Sequence, residues 1–374
     1  MVLGSAVPVA ARSGRGGIEP VGTTISRTAN RKMKITHHPP QLRLSLGLGI
    51  LLMVFAGSLA VRAQTCLTSD DMDSATRTAL QTTAGRYFDM AARGDGGSLR
   101  QNSIPGVAAD FAGVQAVITD NKDNFAGVQP VTQLQVLLKA EGAAPLQRAE
   151  FLCGLFSANG QTANSSEFVI PNLPPGNYGV VVLNPKTAKG PYAVSFVLQQ
   201  QGADWKLAGF YVKATMVGAH DGNWFADRAR AFKAKGENHD AWFYYLEARD
   251  LLSPVNFMYT QITDRLYDEM QQVKPPDLPP TQLASAGKTY KLIDMFPTVS
   301  GKELDLVVRY ESPDVSDSGK TFQENTSVMK ALIDKYPELP EGFEALVVRA
   351  VEPSGRDYGS LCHTTAGVLP LCPK

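Results

Sequence analysis

The order of secondary structure between residues 66 and 216 constrains the fold more than any other feature of this sequence. Two helical patterns come first: small or apolar residues recur at helical spacing from Met72 to Ala91, and a second helix begins near Pro105. Five strand patterns follow, with the sequences VTQLQVLLKA, AEFLCGLF, EFVI, NYGVVVLN and YAVSFVLQQQGADWKLAGFYVKA. Helices followed by a run of antiparallel strands predict an α+β fold, with the helices packed on one face of a curved antiparallel sheet.

The last strand pair of this block carries a resemblance to a known family. Two alternating runs meet at the turn Gly202-Ala203-Asp204, within the sequence GADWKLAGFYVK. This hairpin and the element order resemble the NTF2-like (SnoaL-like) domain over residues 64–216, and the fold that the resemblance implies is an open cone. The LPPGNY turn at 173–178 instead resembles those of small prealbumin-like β-sandwich modules. Two long leading helices fit such a sandwich poorly, so we predict the cone.

Residues 217–273 are predicted to be helical and are rich in aromatic side chains. Seven positions stand in the relative spacing of a tetratricopeptide (TPR) repeat: Phe225, Ala229, Phe232, Gly236, Ala241, Tyr245 and Ala248. The segment resembles one TPR-like helical hairpin, although Arg228 occupies a position that is normally Leu. Because a lone repeat cannot bury its own apolar face, we expect the next helix, from Met258 to Val273, and the neighbouring domains to cover it.

A short proline-rich linker at 274–280 precedes a small C-terminal domain at 281–374. Its strand patterns YKLIDMF and ELDLVVRYE are followed by a helical stripe and by a third strand pattern, EALVVRAVE. We place the start of this helix at Thr321, which with Glu324 forms a T-x-x-E capping box. The order predicts a ββαβ domain whose sheet is covered by the helix on one face.

Residues 1–63 are interpreted as a leader that is removed on export. Five basic residues between positions 27 and 43 precede an apolar segment at 44–61, and Val61-Arg62-Ala63 puts small or modest side chains at the two positions that a signal peptidase must accept. These are the three parts of a secretory signal peptide, and we place the cleavage between Ala63 and Gln64. The predicted location is therefore the periplasm or the extracellular space.

The leader has two alternative interpretations. The segment 44–61 is close to the roughly 20 residues that span a bilayer, so an uncleaved leader would anchor the protein in a membrane. A lipoprotein is the second alternative, because Cys66 follows the apolar segment closely. However, Ala63-Gln64-Thr65 differs from the lipobox of lipoproteins, which has a small residue directly before the cysteine. Met33 is an alternative start residue, because the stretch that begins there is already a complete basic region.

The formal charge of the whole chain is zero, but its two parts differ. The leader holds eight basic residues and one acidic residue, which leaves 28 basic and 35 acidic residues after Ala63. The exported part therefore has a net charge of −7. An acidic protein does not attract nucleic acid or an anionic membrane surface through its general field. We predict a protein, peptide or small-molecule partner, with membrane contact only through an uncleaved leader.

Four cysteines follow the leader: Cys66, Cys153, Cys362 and Cys372. An oxidising compartment permits disulfide bonds between them, and four cysteines allow three pairings. Only nine residues separate Cys362 from Cys372. We expect those two to pair, which leaves Cys66 to tie the start of the exported chain to Cys153. No CxxC motif is present, so structural disulfides are favoured over a redox or zinc site.

Histidine is scarce in this chain, and residues 64–216 contain none. This block therefore lacks a His-Asp catalytic pair, and the resemblance implies that an enzyme of this kind would use carboxylates and tyrosines, as ketosteroid isomerases do. The candidate ligand-binding residues on predicted strands are Glu150, Glu167 and Tyr178. We interpret the pairs His220-Asp221 and His239-Asp240 as loop and helix-capping residues.

No GxSxG, HExxH, GxGxxG or EF-hand motif occurs, so we predict no catalytic residue, no cofactor and no metal site. The densest remaining feature is an aromatic cluster at 224–259, from which Trp224, Trp242 and Tyr245 are the candidate partner-binding residues. We expect an exported protein with a non-catalytic binding or scaffolding role in the bacterial cell envelope. The alternative is a small-molecule-binding or isomerase-like enzyme that uses the cone.

Overall fold

The computed structural model describes residues 64–158, 160–278, 281–285, 287–300 and 303–364. The predicted leader, with Ala63, and the fourth cysteine, Cys372, lie outside these residues. The described chain has an α+β fold with antiparallel sheets, as the sequence predicts, and all of it falls into one compact unit. The domain boundaries at 216, 273 and 280 stay predictions. None of the helices in the described part combines the length and the hydropathy needed to cross a bilayer.

The first block begins with a short strand and several helices and continues as strands. In chain order its elements are β1 (Thr65–Thr68), α1 (Ser74–Ala92), α2 (Gly96–Gln101), α3 (Pro105–Ala109), α4 (Ala112–Phe125), β2 (Val131–Ala140), β3 (Leu146–Ser157), β4 (Gly160–Leu173), β5 (Gly176–Asn184), β6 (Lys186–Thr187), β7 (Gly190–Gln201) and β8 (Asp204–Ala214). Each of the five predicted strand patterns forms strand. The second helical pattern is divided into α3 and α4, because Asp110 leaves the helical conformation with φ −118° and ψ 69°.

The rest of the described chain consists of a helical block and a C-terminal block. The helical block contains β9 (Met216–Val217), β10 (His220–Asp221), α5 (Gly222–Lys235), α6 (Asn238–Leu252), β11 (Met258–Thr260) and α7 (Gln261–Gln271). The C-terminal block contains β12 (Gln282–Ser285), β13 (Lys288–Ser300), β14 (Glu303–Glu311), α8 (Ser318–Lys335), α9 (Leu339–Gly342), β15 (Ala345–Val351) and β16 (Asp357–His363).

The start of α8 differs from the prediction. Asp317 is the N-cap, and its side chain accepts a hydrogen bond from the amide of Lys320 at 2.9 Å. The predicted capping box at Thr321 is therefore wrong. Thr321 lies one turn inside the helix, where its hydroxyl donates to the carbonyl of Asp317 at 2.8 Å. An aspartate carboxylate is a strong capping acceptor, and here it begins the helix one turn earlier.

A six-stranded antiparallel sheet forms the centre of the first block. Its hydrogen-bonded order is β1-β2-β5-β7-β8, and the short β6 pairs with the start of β7. Helices α1 and α4 cover one face. The core between these layers includes Leu80, Tyr87, Phe88, Phe125, Phe196 and Phe210. Gly179 of β5 is required there, because a Cβ at this position would lie 2.2 Å from Cδ2 of Leu80.

A three-stranded sheet of order β11-β4-β3 covers the opposite face of the six-stranded sheet. β3 and β4 form a hairpin, and β11 of the helical block pairs with β4, with Met258 opposite Phe168. The core between the two sheets includes Phe151, Phe168, Ile170, Tyr178 and Val180. Both faces of the six-stranded sheet are therefore buried.

A disulfide bond closes one corner between these sheets. It joins Cys66 of β1 to Cys153 of β3, with Cα atoms 5.1 Å apart, and so confirms the predicted pairing. Beside it, the side-chain carbonyl of Gln64 accepts a hydrogen bond from the backbone amide of Glu150. The start of β1 is thus held against β3. Cys362 of β16 is also disulfide-bonded.

The helical and C-terminal blocks share one apolar core. α5 and α6 form a helical hairpin that turns at Gly236, where φ is 83°. The C-terminal sheet has the order β12-β13-β14-β15-β16 and is antiparallel except for the pair β14–β15. The shared core includes Phe225, Phe232, Tyr245, Leu306, Val328, Leu332 and Phe343. The C-terminal block therefore covers the apolar side of the helical hairpin.

Replacing both Cys66 and Cys153 by Ser is expected to lower the free energy of unfolding by about 2–4 kcal/mol. The bond joins positions 87 residues apart and restricts the unfolded chain. Urea unfolding followed by circular dichroism measures the difference. A reductant should destabilise the wild type more than the double variant, in which the disulfide of Cys362 remains. Equal stability of the two proteins would contradict a structural role for the bond.

Candidate functional site

The three predicted ligand-binding residues do not come together. Phe151 of β3 and Phe168 of β4 point into the core between the sheets. Because side chains alternate along a strand, their neighbours Glu150 and Glu167 point outward. Tyr178 of β5 lies inside that core and is 2% exposed. The structure thus places Glu150 and Glu167 on one outer face and separates Tyr178 from them by the backbone of the small sheet.

Tyr178 is held in place by hydrogen bonds on both sides of its hydroxyl. The hydroxyl donates to the carbonyl of Pro174 at 2.9 Å and accepts from Nε2 of Gln199 at 3.1 Å. Burial raises the pKa of Tyr178 to about 12. The phenol is therefore protonated at neutral pH, and its proton is already engaged within the protein.

Glu150 and Glu167 share the outer face with other charges. Arg148 pairs with Glu150 along β3. Burial raises the pKa of Glu167, and the nearby carboxylates of Glu150 and of Asp264 on α7 raise it further. These groups interact across an outward face of the sheet. They do not line the core in which the predicted cone would hold a ligand.

The three predicted partner-binding residues differ in their exposure. Trp224 of α5 is 38% exposed and stacks on His220, with ring centroids 3.7 Å apart. Trp242 is half-buried against the shared core. Tyr245 is fully buried, and its hydroxyl donates to Oε2 of Glu269 at 3.0 Å. The aromatic cluster is therefore mainly core packing, and Trp224 is its most exposed member among these three.

The two His-Asp pairs have different places in the structure. Asp221 is the N-cap of α5, as predicted, and its side chain accepts from the amide of Trp224 at 3.0 Å. The interpretation of His239 and Asp240 as loop and capping residues is wrong. Both lie within the first turn of α6, whose N-cap is Glu237.

His239 joins α6 to two other segments of the chain. Its Nδ1 lies 2.6 Å from Oε1 of Glu338, and its Nε2 lies 3.0 Å from Oδ1 of Asp277. A histidine can donate from both ring nitrogens only when both carry protons. The ring therefore links α6 to the segments that carry Glu338 and Asp277.

Asp277 receives donors from two more side chains. The hydroxyl of Tyr336 donates to its Oδ2 at 2.7 Å, and Nζ of Lys335 lies 3.4 Å from the same oxygen. Burial alone raises the pKa of Asp277, but the hydrogen bonds from Tyr336, His239 and Lys335 outweigh burial and lower the pKa to about 2. Burial and this same hydrogen bond raise the pKa of Tyr336.

Asp240 follows His239 on α6, and its environment is the opposite of that of Asp277. Its side chain is 0% exposed, and neither carboxyl oxygen has a hydrogen-bond partner among the described residues. Burial raises its pKa to about 8, with smaller contributions from Glu338, Glu237 and Glu341 that Arg228 partly opposes. Asp240 is therefore largely a neutral carboxylic acid at neutral pH, an uncommon state for an aspartate.

The two aspartates of this cluster differ in charge at neutral pH: Asp277 is ionised, whereas Asp240 is largely protonated. Within the described ranges, no group of three or more His, Cys, Asp or Glu side chains is arranged to hold a metal ion. The shifted pKa values of Asp240 and Asp277 give the contact between α6 and the segments that carry Asp277 and Glu338 a charge that changes with pH.

An open groove lies elsewhere, between α1 and the turn that joins β7 to β8. Its volume is about 660 Å³. The groove is lined by hydroxyl side chains of α1, among them Ser74, Thr78 and Thr82, with Arg86 and Asp204 contributing opposite charges. Such a surface offers hydrogen bonds to a polar molecule.

The sequence does not identify the environment of Asp240, because its neighbours in space are remote in sequence. One signal was present: Asp240, Tyr244 and Leu251 follow one another at spacings of four and seven, which places them on one face of a helix. All three are buried. An acidic residue on an otherwise buried helical face indicates a charge that must find a partner or accept a proton.

No protein-family model, no curated protein and no solved structure matches this chain. The NTF2-like and TPR-like resemblances therefore rest on the sequence features that carry them. The function of the protein is therefore inferred from the geometry of the described residues.

Replacing Asp277 by Asn is expected to lower the free energy of unfolding at pH 7 by about 1 kcal/mol, a small value because solvent screens this partly exposed side chain. The pKa of Asp277 is lower in the folded than in the unfolded chain, so its contribution is present above about pH 4 and disappears as the pH falls towards 2. Urea unfolding at pH 7 and pH 2.5 measures both differences.

Asp227→Asn is the matched control for this variant. Asp227 lies on α5, is largely exposed and, among the described residues, pairs with Arg230 three residues away. Its replacement should change the stability by less than about 0.5 kcal/mol at either pH. A loss in Asp277→Asn that is as large at pH 2.5 as at pH 7 would contradict the role assigned to its charge.

Proposed function

We propose that this is an exported protein with a non-catalytic binding or scaffolding role in the bacterial cell envelope. The leader pattern at 1–63 supports export, as does the Cys66–Cys153 disulfide, which is stable in an oxidising compartment. The net charge of −7 after the leader favours a protein, a peptide or a small molecule over nucleic acid as the partner.

We also propose a finer description of the fold. The packing of α1 and α4 on an antiparallel sheet that ends in the β7–β8 hairpin supports an NTF2-like domain at 64–216. Burial of every position of the TPR spacing except Gly236 supports a TPR-like hairpin in α5 and α6. The order β13, β14, α8, β15 supports a ββαβ unit, to which β12 and β16 add edge strands.

The exposed position of Trp224 carries the binding proposal. Its indole stacks on His220 at an interplanar angle of 17° and meets the ring of Phe225 edge-on, with centroids 5.0 Å apart. Arg228, one turn further along α5, lies with its Cζ 4.5 Å from the ring centroid of Phe232. We name the surface formed by His220, Trp224 and Arg228 the Trp224 face.

The Trp224 face has the properties of a protein-contact surface. Trp and Arg are over-represented among the residues that dominate binding energy at protein interfaces. An aromatic side chain that is already fixed by its neighbours loses little conformational entropy on binding. We infer that a protein or peptide partner docks on this face.

A small-molecule-binding or isomerase-like enzyme is the alternative proposal. The groove beside α1 favours a small polar ligand, because hydroxyl groups, Arg86 and Asp204 converge there. Catalysis has less support. Tyr178 is enclosed between the sheets while Glu150 and Glu167 face outward, so these candidates do not form an acid–base pair in one site.

Export predicts a chain that begins at Gln64 and is oxidised at Cys66 and Cys153. The intact mass of the protein from fractionated cells would show the loss of residues 1–63, and thiol alkylation before and after reduction would show the disulfide. An uncleaved chain in the membrane fraction would instead support an anchor at 44–61. A reduced chain in the cytoplasm would contradict the proposal.

Replacing Trp224 by Ala is expected to weaken the binding of an envelope partner by about tenfold or more, because truncation of such an aromatic residue costs about 2 kcal/mol. The partner is captured from solubilised envelope on the immobilised chain, purified, and titrated against wild type and variants by calorimetry.

Ile262→Ala on α7 is the matched control, since Ile262 is a large apolar side chain with a similar exposure of 41%. It should leave the affinity within about twofold. Both variants must retain the circular dichroism spectrum of the wild type. Unchanged affinity of Trp224→Ala, or equal losses in the two variants, would remove the Trp224 face as the binding surface.

A further inference from the structure

The segment at 338–343, which contains α9, docks on α6. The hydroxyl of Tyr244 donates to the carbonyl of Gly342 at 2.6 Å. The ring of Phe343 meets those of Phe243 and Tyr244, with centroids 5.9 Å and 6.1 Å apart. At the other end of the segment, Glu338 contacts His239. We refer to residues 338–343 as the docked segment.

Asp240 lies in the middle of this contact. A Cβ added to Gly342 would lie 2.7 Å from Cγ of Asp240, so the carboxyl group packs directly on the backbone of the docked segment. At 0% exposure the side chain is sealed from solvent, and neither oxygen has a hydrogen-bond partner in the described part of the chain. A neutral carboxylic acid is tolerated in such a place far better than a carboxylate.

The charged groups that face Asp240 do not compensate a negative charge. Three carboxylates surround it: Glu237 at the N-cap of α6, and Glu338 and Glu341 of the docked segment. Arg228 opposes these carboxylates and favours the ionised form of Asp240, but its Nη2 lies 3.4 Å from Oε1 of Glu341.

The other ionisable groups at this contact are engaged with different partners. Lys235 of α5 pairs with Glu341. His239 lies between Glu338 and Asp277, and Asp277 also receives Tyr336 and Lys335 from the end of α8. None of these groups donates a hydrogen bond to Asp240 within the described residues.

We propose that the charge of Asp240 controls the docked segment: the neutral acid keeps residues 338–343 on α6, and ionisation releases them. Release would let water solvate the carboxylate and would separate it from Glu338 and Glu341. The pKa of Asp240 is about 8 in the docked form and returns towards the ordinary value of about 4 on release. Docking is therefore strongest below about pH 4 and weakens as the pH rises towards 8.

Release would also change the surface beside the Trp224 face. Phe243 and Tyr244 would lose their contact with Phe343, and the ring of Tyr244 lies 6.4 Å from that of Trp224. This consequence for binding rests on the proposed function. The effect of Asp240 on the docked segment does not, and its measurement needs no partner.

Hydrogen–deuterium exchange of the full chain at pH 5, 6, 7 and 8, corrected for intrinsic exchange rates, tests the inference. The amides of Leu339 and Phe343 donate within the docked segment and its flank, to Tyr336 and Leu339. In the wild type, the opening equilibrium of these amides should rise by at least about tenfold from pH 5 to pH 7 and less steeply from pH 7 to pH 8. A constant opening equilibrium would overturn the proposal.

Asp240→Asn keeps the shape of the side chain and removes its charge. This variant should keep the docked segment protected, with less than about threefold change over the same pH range. Because His239 also faces Glu338, a wild-type pH response that survives in Asp240→Asn would assign the effect to the histidine and overturn the proposal. Asp264→Asn is the control, since burial also raises the pKa of Asp264 but on α7; it should respond as the wild type does.

Gly342→Ala tests the same contact without changing a charge. Its methyl group would displace the carboxyl group of Asp240, so the docked segment should exchange rapidly already at pH 5. Amides in β15 should stay protected, which would show that the C-terminal sheet is intact. A Gly342→Ala protein with the protection and pH response of the wild type would show that this contact does not control docking.

Discussion

Burial of both faces of the six-stranded sheet is the constraint on which the rest of the described structure depends. α1 and α4 cover one face, and the β3–β4 hairpin covers the other. That hairpin is held in place by two partners remote in sequence: β11 from the helical block and the disulfide to β1. The helical hairpin in turn buries its apolar side against the C-terminal sheet. The first block and the helical block thus each depend on contacts with the block that follows them in the chain.

The same burial determines how charge behaves at the start of α6. Asp240 lies on α6, and Asp277 contacts α6 through His239. The pKa of Asp277 is lowered, whereas that of Asp240 is raised. Asp277 keeps its charge because Tyr336, His239 and Lys335 supply donors to it. Asp240 is buried away from water and is surrounded by carboxylates, so its protonated form is favoured. The supply of donors, and not burial alone, therefore decides whether a carboxylate remains charged.

Much of the fold was predictable because it depends on residues near one another in the chain. Strand alternation predicted β2, β5, β7 and β8, and the cap at Asp221 predicted the start of α5. The capping box at Thr321 failed because a second acceptor, Asp317, precedes it by one turn. The candidate ligand residues show a second limit of local patterns: alternation shows that Glu167 and Tyr178 have a preferred face, but not which layer covers that face.

The sequence by itself determined the α+β class, the run of strands, the helical hairpin and the cysteines that an oxidising compartment can pair. Local periodicity and composition are sufficient for these features. Only the tertiary structure decided that Trp224 is exposed while Tyr245 is buried, and that Asp240 is sealed with no hydrogen-bond donor among the described residues. The contacts responsible join α6 to residues almost a hundred positions away, such as Tyr244 to Gly342 at a separation of 98. Whether a side chain meets water, a charge or an apolar ring depends on how such remote segments pack, which no local pattern records.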